Sequence, residues 1–296
     1  MTVSPADPSA KPAVIVISSH VARGSVGNRA AVFALESLGY PVWAVPTVIL
    51  PWHPGHGPAT RIVPDDEAFT ALLRDLAGSP WLGEVDAVLS GYLASPAQTR
   101  AVAALVETAR QRNPGLLYVC DPVMGDFGGL YVAEALAGAI RDRLIPLADI
   151  ATPNRYELEW MAQRPFNDIA AVVDAARALG PATVLVTSAQ AREAGATANL
   201  LVREGATLLA EHGLIDNPPN GLGDLTAAVF LARVLAGASA ADALESTTAS
   251  VYAILAGTAA RGGDELEIET DAHHLVDPAV SVRIQAVSAD ERGGTR

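Results

Sequence analysis

The run Asn220-Gly-Leu-Gly-Asp-Leu-Thr226 sets two glycines and one carboxylate at the head of an apolar, alanine-rich segment that reads as a helix from Leu225 to Ala236. Glycine permits a tight turn and lets backbone approach a guest closely. The free N–H groups of a helix start, helped by the helix dipole, suit an anion and above all a phosphoryl group. A carboxylate in that turn would repel a guest that merely binds. Asp224 makes chemical sense as a base that takes a proton from a hydroxyl attacking the phosphoryl group, with Gly221, Leu222 and Gly223 forming the anion cradle. The same spacing also serves as an ordinary loop-to-helix junction in which Asp is the cap. The motif therefore needs partners elsewhere in the chain.

Two further carboxylates are candidates. Asp121 follows the apolar run Leu117 to Cys120 in Asp121-Pro-Val-Met-Gly-Asp126, and Glu157 lies in Thr152-Pro-Asn-Arg-Tyr-Glu157. Sparse carboxylates of this kind suit Mg²⁺, which keeps several waters and bridges substrate phosphates. Each also has a plainer role, Asp121 capping a turn and Glu157 filling the first turn of a helix. Their coincidence with the glycine-rich turn favours phosphoryl transfer.

These residues need elements to bring them together. Short β-rich runs alternate with longer amphipathic segments: strands at 14–18, 42–45, 85–90, 117–121, 149–152 and 183–187, and helices at 28–38, 66–76, 96–111, 133–144, 156–162, 168–179, 225–236 and 240–257. A hairpin is expected from 198–202 and 207–210. The alternation predicts a mostly parallel central sheet with helices on both faces, as a single α/β domain over residues 13–287. Residues 1–12 and 288–296 read as disordered tails. Ligands of such sheets sit beyond the carboxyl ends of the strands. Ser19, Thr47, Gly91-Tyr92, Asp121, Asn154 and Glu157 follow five strand ends and are expected on one rim. Ser19 and Thr47 offer hydrogen bonds there, and Tyr92 with Trp43 and Val48 offers apolar walls for a flat ring.

Composition narrows the partners. The 296 residues carry a formal net charge of −13 and a pI near 4.8, which argues against nucleic acid or an anionic membrane as a main partner. Half of the residues are apolar, enough for a sizeable core, but no run reaches membrane-spanning length. One cysteine, Cys120, excludes an intrachain disulfide and fits a reducing compartment, so a cytoplasmic protein is expected. Lys11 is the only lysine. His53 and His56 read as solvent-facing loop histidines rather than a metal pair, for want of further ligands.

Five segments, in this order, carry a family resemblance: Ser18-Ser-His-Val-Ala-Arg-Gly-Ser-Val-Gly-Asn28, Asp86-Ala-Val-Leu-Ser-Gly-Tyr-Leu93, Cys120-Asp-Pro-Val-Met-Gly-Asp126, Thr152-Pro-Asn-Arg-Tyr-Glu-Leu158 and Asn220-Gly-Leu-Gly-Asp-Leu225. From Val14 to about Gly257 the chain resembles the pyridoxal kinases of the ribokinase-like superfamily. The resemblance implies ATP-dependent phosphorylation of the 5′-hydroxymethyl group of pyridoxal, giving pyridoxal 5′-phosphate in vitamin B6 salvage. It implies Asp224 as base, Gly221 to Gly223 as anion hole, and Ser19, Thr47 and Tyr92 around the pyridine ring. Asp121 and Glu157 would act around Mg·ATP, directly or through water, and Thr152 and Thr187 would lie along the nucleotide. A homodimer is also implied, and a monovalent-cation requirement is left open. Hydroxymethylpyrimidine kinase, on the same scaffold, is the nearest alternative. One departure stands out: related kinases place a lysine against the ATP phosphates where this chain has Thr187-Ser188. Arg192 is a candidate substitute, although its planar fork is not equivalent to an ammonium group. The departure raises a second alternative, a catalytically weak vitamer-binding protein.

Overall fold

The computed structural model describes residues 11–287. Of the tails expected at 1–12 and 288–296, residues 1–10 and 288–296 lie outside the described residues.

Strand β1 (Ala13–Val21) shows how the layers form. Val14 and Val16 face one side and Ile15 and Ile17 the other, all fully buried, as the two-residue period of a strand dictates. Val14 and Val16 pack with α1 (Asn28–Ser37) and with two later helices, α7 (Leu222–Leu235) and α8 (Ala240–Arg261). The opposite face is covered by α2 (Asp66–Gly78), α3 (Pro96–Arg112) and α4 (Glu134–Ala139). A third apolar cluster joins α5 (Arg155–Ala162) and α6 (Ile169–Ala178) to the far end of the sheet.

The other strands are β2 (Val42–Leu50), β3 (Val85–Ser90), β4 (Leu117–Cys120), β5 (Gly125–Asp126), β6 (Gly129–Leu130), β7 (Ile150–Ala151), β8 (Thr183–Gln190), β9 (Ala196–Arg203), β10 (Ala206–Gly213) and β11 (Arg283–Ala286). The main sheet has nine strands in the order β11-β10-β9-β8-β7-β4-β3-β1-β2. Every pairing from β2 across to β8 is parallel. The pairings of β8 with β9, β9 with β10 and β10 with β11 are antiparallel. The expected mostly parallel sheet and terminal hairpin are both present.

The differences have local causes. The helix expected at 133–144 breaks after Ala139 into a wide turn, Ile140–Leu144, and a 3₁₀ turn containing Pro146, which has no N–H to continue the ladder. Strands β1 and β2 run several residues past their expected ends, because β2 bulges, with Thr47 and Val48 opposite Ser19, and pairing then resumes, His20 with Ile49 and Val21 with Leu50. Ser19 and Thr47 thus lie inside strands rather than beyond them. The β5–β6 hairpin and β11 carry no periodic signal.

Helix starts divide into two kinds. Asp65, Ser95, Asn154, Asp168 and Ser239 cap α2, α3, α5, α6 and α8 with their side chains. By contrast, α1, α4 and α7 begin at Gly27, Ala133 and Gly221 with no side-chain cap. The two glycine starts, of α1 and α7, lie at the same rim, and their unused donors build the site.

Candidate active site

Gly221 takes a left-handed conformation (φ 98°) as the cap of α7, and a Cβ there would lie 2.0 Å from the Ser25 carbonyl oxygen. Only glycine fits. The first helical acceptor, Gly221 O, is taken by Leu225 N at 3.0 Å, which leaves the earlier amides of the turn aimed outward. Asp224 projects from this turn into a cavity of about 590 Å³. Burial pushes its pKa up to about 6, and the backbone amides of Gly27, at the start of α1, and of Asp224 itself oppose the rise. One helix start therefore favours the ionised acid, and the other stays open for an anion beside it.

Gly91, after β3, brings the acceptor side close. A Cβ at residue 91 would lie 2.6 Å from Ser18 Oγ and 3.6 Å from Asp224 Oδ1. The next residue, Tyr92, is fixed by its amide, which donates to Ser18 Oγ at 3.1 Å. Ser19 and Tyr92 both line the cavity with Val26, Leu50, His53 and Asp224. Thr47 does not. It is fully buried, and its hydroxyl donates to the Tyr92 carbonyl at 2.7 Å, while Gln98 Nε2 donates to its own carbonyl at 3.1 Å. The expected ring contact at Thr47 instead lies behind Tyr92 in this structure, at the β2 bulge, where its hydroxyl supports the Tyr92 carbonyl.

Across the cavity, Thr152 Oγ1 donates to Asp121 Oδ1 at 2.9 Å. Asp121 is 5 % exposed and Glu157 2 % exposed. Burial raises the Asp121 pKa well above the carboxylate range, with repulsion from Glu157 and Asp224 adding to it and the Thr152 hydroxyl opposing it. Burial likewise lifts Glu157 to about 7, against donation from backbone amides. Two of those donors are the amides of Met124 and Asn154, each 2.8 Å away, so Glu157 is also the reciprocal half of the α5 capping box. The plain reading of Glu157 is met, and its carboxylate also lines the cavity.

This crowding of negative charge suits a cation. Among the described residues no group of three or more His, Cys, Asp or Glu could cage a metal ion. A hydrated Mg²⁺ that arrives on phosphates needs only such sparse oxygen donors. Gly223 keeps the necessary space: a Cβ there would meet nothing nearer than Asp121 Oδ2 at 4.0 Å, so packing alone does not demand a glycine.

Thr187 and Ser188 line the far end, and the Thr187 amide donates to Pro153 O at 3.0 Å. Neither side chain carries charge. Lys11 is committed elsewhere, its ammonium donating to Leu38 O at the end of α1 and sitting 4.4 Å from the Tyr40 ring centroid. Arg192 donates to Gln285 Oε1 at 2.6 Å and is not among the cavity-lining residues, so it does not fill the lysine's place.

Sequence reasoning missed Arg61 and underrated His53. Both lie on the connection from β2 to α2 and line the cavity. His53 is not simply solvent-facing: its Nδ1 accepts from the Gly55 amide at 3.1 Å, and burial lowers its pKa. His56 pairs with Glu265 at 2.9 Å. A Pro- and Gly-rich connection has no periodicity from which such placements could be read.

Sheet, helix starts and carboxylates together define a small-molecule kinase of the ribokinase-like fold. The family model for phosphomethylpyrimidine kinase matches residues 79–268. The pyridoxal kinase PdxY of Rubrobacter xylanophilus is 39% identical over 93% of this chain and 97% of its own length. That of Pseudomonas paraeruginosa is 39% identical over 91% and 96%. Pyridoxal kinase from Leishmania donovani, solved with ADP and pyridoxamine, superposes with a TM-score of 0.86 at 30% identity, covering 94% of this chain and all of that one. The chain belongs to the pyridoxal kinase family.

Proposed function

We propose that the protein transfers the γ-phosphoryl group of ATP to the 5′-hydroxymethyl group of pyridoxal. The single observation that supports this most is the glycine start of α7: with no side-chain cap, the amides of Gly221 to Gly223 stay available to a phosphoryl group in the cavity that Asp224 lines. Asp224 accepts the proton of the attacking alcohol, the alcohol oxygen forms the new P–O bond, and the bond to ADP breaks as the amides hold the charge spread over the transferred group. A base whose pKa lies near 6 is ionised at neutral pH and still basic enough to assist. Ser19 and Tyr92 orient the ring. Asp121, with Thr152 and Glu157 behind it, would hold Mg²⁺ through water, where it would neutralise ATP phosphates. We also propose a cytoplasmic homodimer; among the described residues no helix is long and apolar enough to cross a membrane.

The match to the phosphomethylpyrimidine kinase model favours a second reading, a hydroxymethylpyrimidine kinase. An ADP-release assay with pyridoxal, pyridoxine, pyridoxamine and hydroxymethylpyrimidine separates the two. Turnover of the pyridine alcohols, lost by several orders of magnitude in Asp224→Asn with pyridoxal binding retained, is the expected result. Turnover of the pyrimidine alone would overturn the first reading. Binding of pyridoxal with no ADP release under any condition would favour a vitamer-binding protein that lacks the lysine's charge.

A further inference from the structure

Residues 51–61 leave β2 and return to it. Ile49 and Ile62 exchange backbone hydrogen bonds of 2.8 and 3.0 Å, closing this strap at its base. The closure carries Arg61 to the cavity mouth, where its Nη2 donates to Tyr92 Oη at 2.8 Å and its guanidinium carbon lies 5.7 Å from the Tyr92 ring centroid. Among the described residues lining the cavity, Arg61 is the only arginine or lysine, facing a set that includes Asp121, Asp126, Glu157 and Asp224. Its hydrogen bond goes to a neutral phenol, not to a carboxylate. A guanidinium presents a fork of donors matched to an oxyanion, and Tyr92 occupies only part of it.

Its position says which substrate it meets. Arg61 is held by Tyr92, next to Gly91, the residue whose Cβ position lies 3.6 Å from Asp224 Oδ1. Thr187, Ser188 and Asn154, where the nucleotide is expected, are tied to the other side through the Thr187–Pro153 hydrogen bond and the Asn154–Thr187 bridge. We propose that Arg61 is a specificity-determining residue for the acceptor, pairing with an anionic oxygen carried by its ring. That oxygen is the ionised ring hydroxyl of a hydroxypyridine or the phosphate of an already phosphorylated pyrimidine alcohol. The inference rests on the acceptor being a small aromatic alcohol.

Wild type, Arg61→Ala and Arg61→Lys are compared with pyridoxal, with a pyridoxal analogue lacking the ring hydroxyl, and with hydroxymethylpyrimidine phosphate. In Arg61→Ala the preference for pyridoxal over the analogue, as a ratio of kcat/KM, should fall roughly 10- to 100-fold, the range expected for a hydrogen bond to a charged group. The loss should lie in the KM for pyridoxal, with the KM for ATP unmoved and partial recovery in Arg61→Lys. A selective loss for the phosphorylated pyrimidine instead identifies phosphate as the anion. Calorimetry without ATP reads the same discrimination in Kd, so a wild type that binds but turns over no acceptor sinks the kinase reading while Arg61 is still decided. An equal loss for pyridoxal and its analogue, a change confined to ATP, or no binding of either anion overturns the proposal.

Discussion

Thr152 Oγ1 lies 2.9 Å from Asp121 Oδ1, linking the residue after β7 to the residue after β4 inside the cavity wall. The hydroxyl opposes the rise in the Asp121 pKa that burial and two neighbouring carboxylates cause. Replacing it with a group of the same shape should push that pKa higher still and disfavour the carboxylate. Thr152→Val should raise the KM for Mg·ATP about tenfold, the scale of one hydrogen bond to a charged group, with a smaller effect on pyridoxal. Steady-state kinetics with each substrate varied in turn measures this. A defect shared equally between the substrates would count against it.

Gly223→Ala separates packing from ligand approach. Nothing in the fold crowds the new methyl group, and alanine in a helix stabilises relative to glycine by roughly 0.5–1 kcal/mol. The variant should therefore melt at an equal or higher temperature than wild type while losing more than about tenfold in turnover, as the methyl enters the space between the amides and Asp121. Calorimetric melting and an activity assay on one preparation check both halves. Full activity would place the phosphoryl group elsewhere.

Asp224 should set the acid limb of the rate profile. Its pKa in the fold is about 6, and the base must be ionised, so kcat/KM should climb with pH through that value and level off above it. A profile flat between pH 5 and 8 would remove Asp224 as the base.

The same shift has a cost in stability, with a defined sign. A carboxyl whose pKa is raised on folding contributes stability below its unfolded value, ordinarily 3.8 for an Asp, and loses it as pH rises through about 6. At pH 8 Asp224→Asn, which removes the buried charge, should raise the melting temperature of the ligand-free protein by roughly 2–4 °C, the shift that ~1 kcal/mol gives a large domain. The gap should narrow towards pH 5. Parallel melting curves at both pH values test it, and a lower melting point for the variant at pH 8 would contradict it.

Thr47→Val distinguishes support from contact. Losing the donor leaves the Tyr92 carbonyl without that partner inside the protein, which costs about 1–3 kcal/mol. The melting temperature should fall by several degrees, while the KM for pyridoxal should change less than it does in Ser19→Ala. The opposite ranking would return Thr47 to the ring pocket.

The glycine turn and its acid were legible because their chemistry is local: a backbone that needs glycine, an uncapped helix start and a carboxylate three residues on. Asp121 and Glu157 were legible because an apolar run ending in a polar residue marks a strand's carboxyl end. The depth of Thr47 was not legible because the sequence does not mark the bulge at which β2 shifts register. Arg61 was illegible because its position depends on a bridge between Ile49 and Ile62 that closes the strap, a contact no periodic pattern announces.

By itself the sequence determined the layered α/β architecture, the phosphoryl-binding turn and the acid beside it, since residue types and spacing constrain backbone geometry over a few residues. Only the tertiary structure decided that the start of α1 comes beside Asp224, that Thr47 props up Tyr92, and that Arg61 reaches the cavity from the strap. Those relations join residues distant in the chain. They are fixed by strand register and by burial of both sheet faces, quantities that exist only once the whole core has packed.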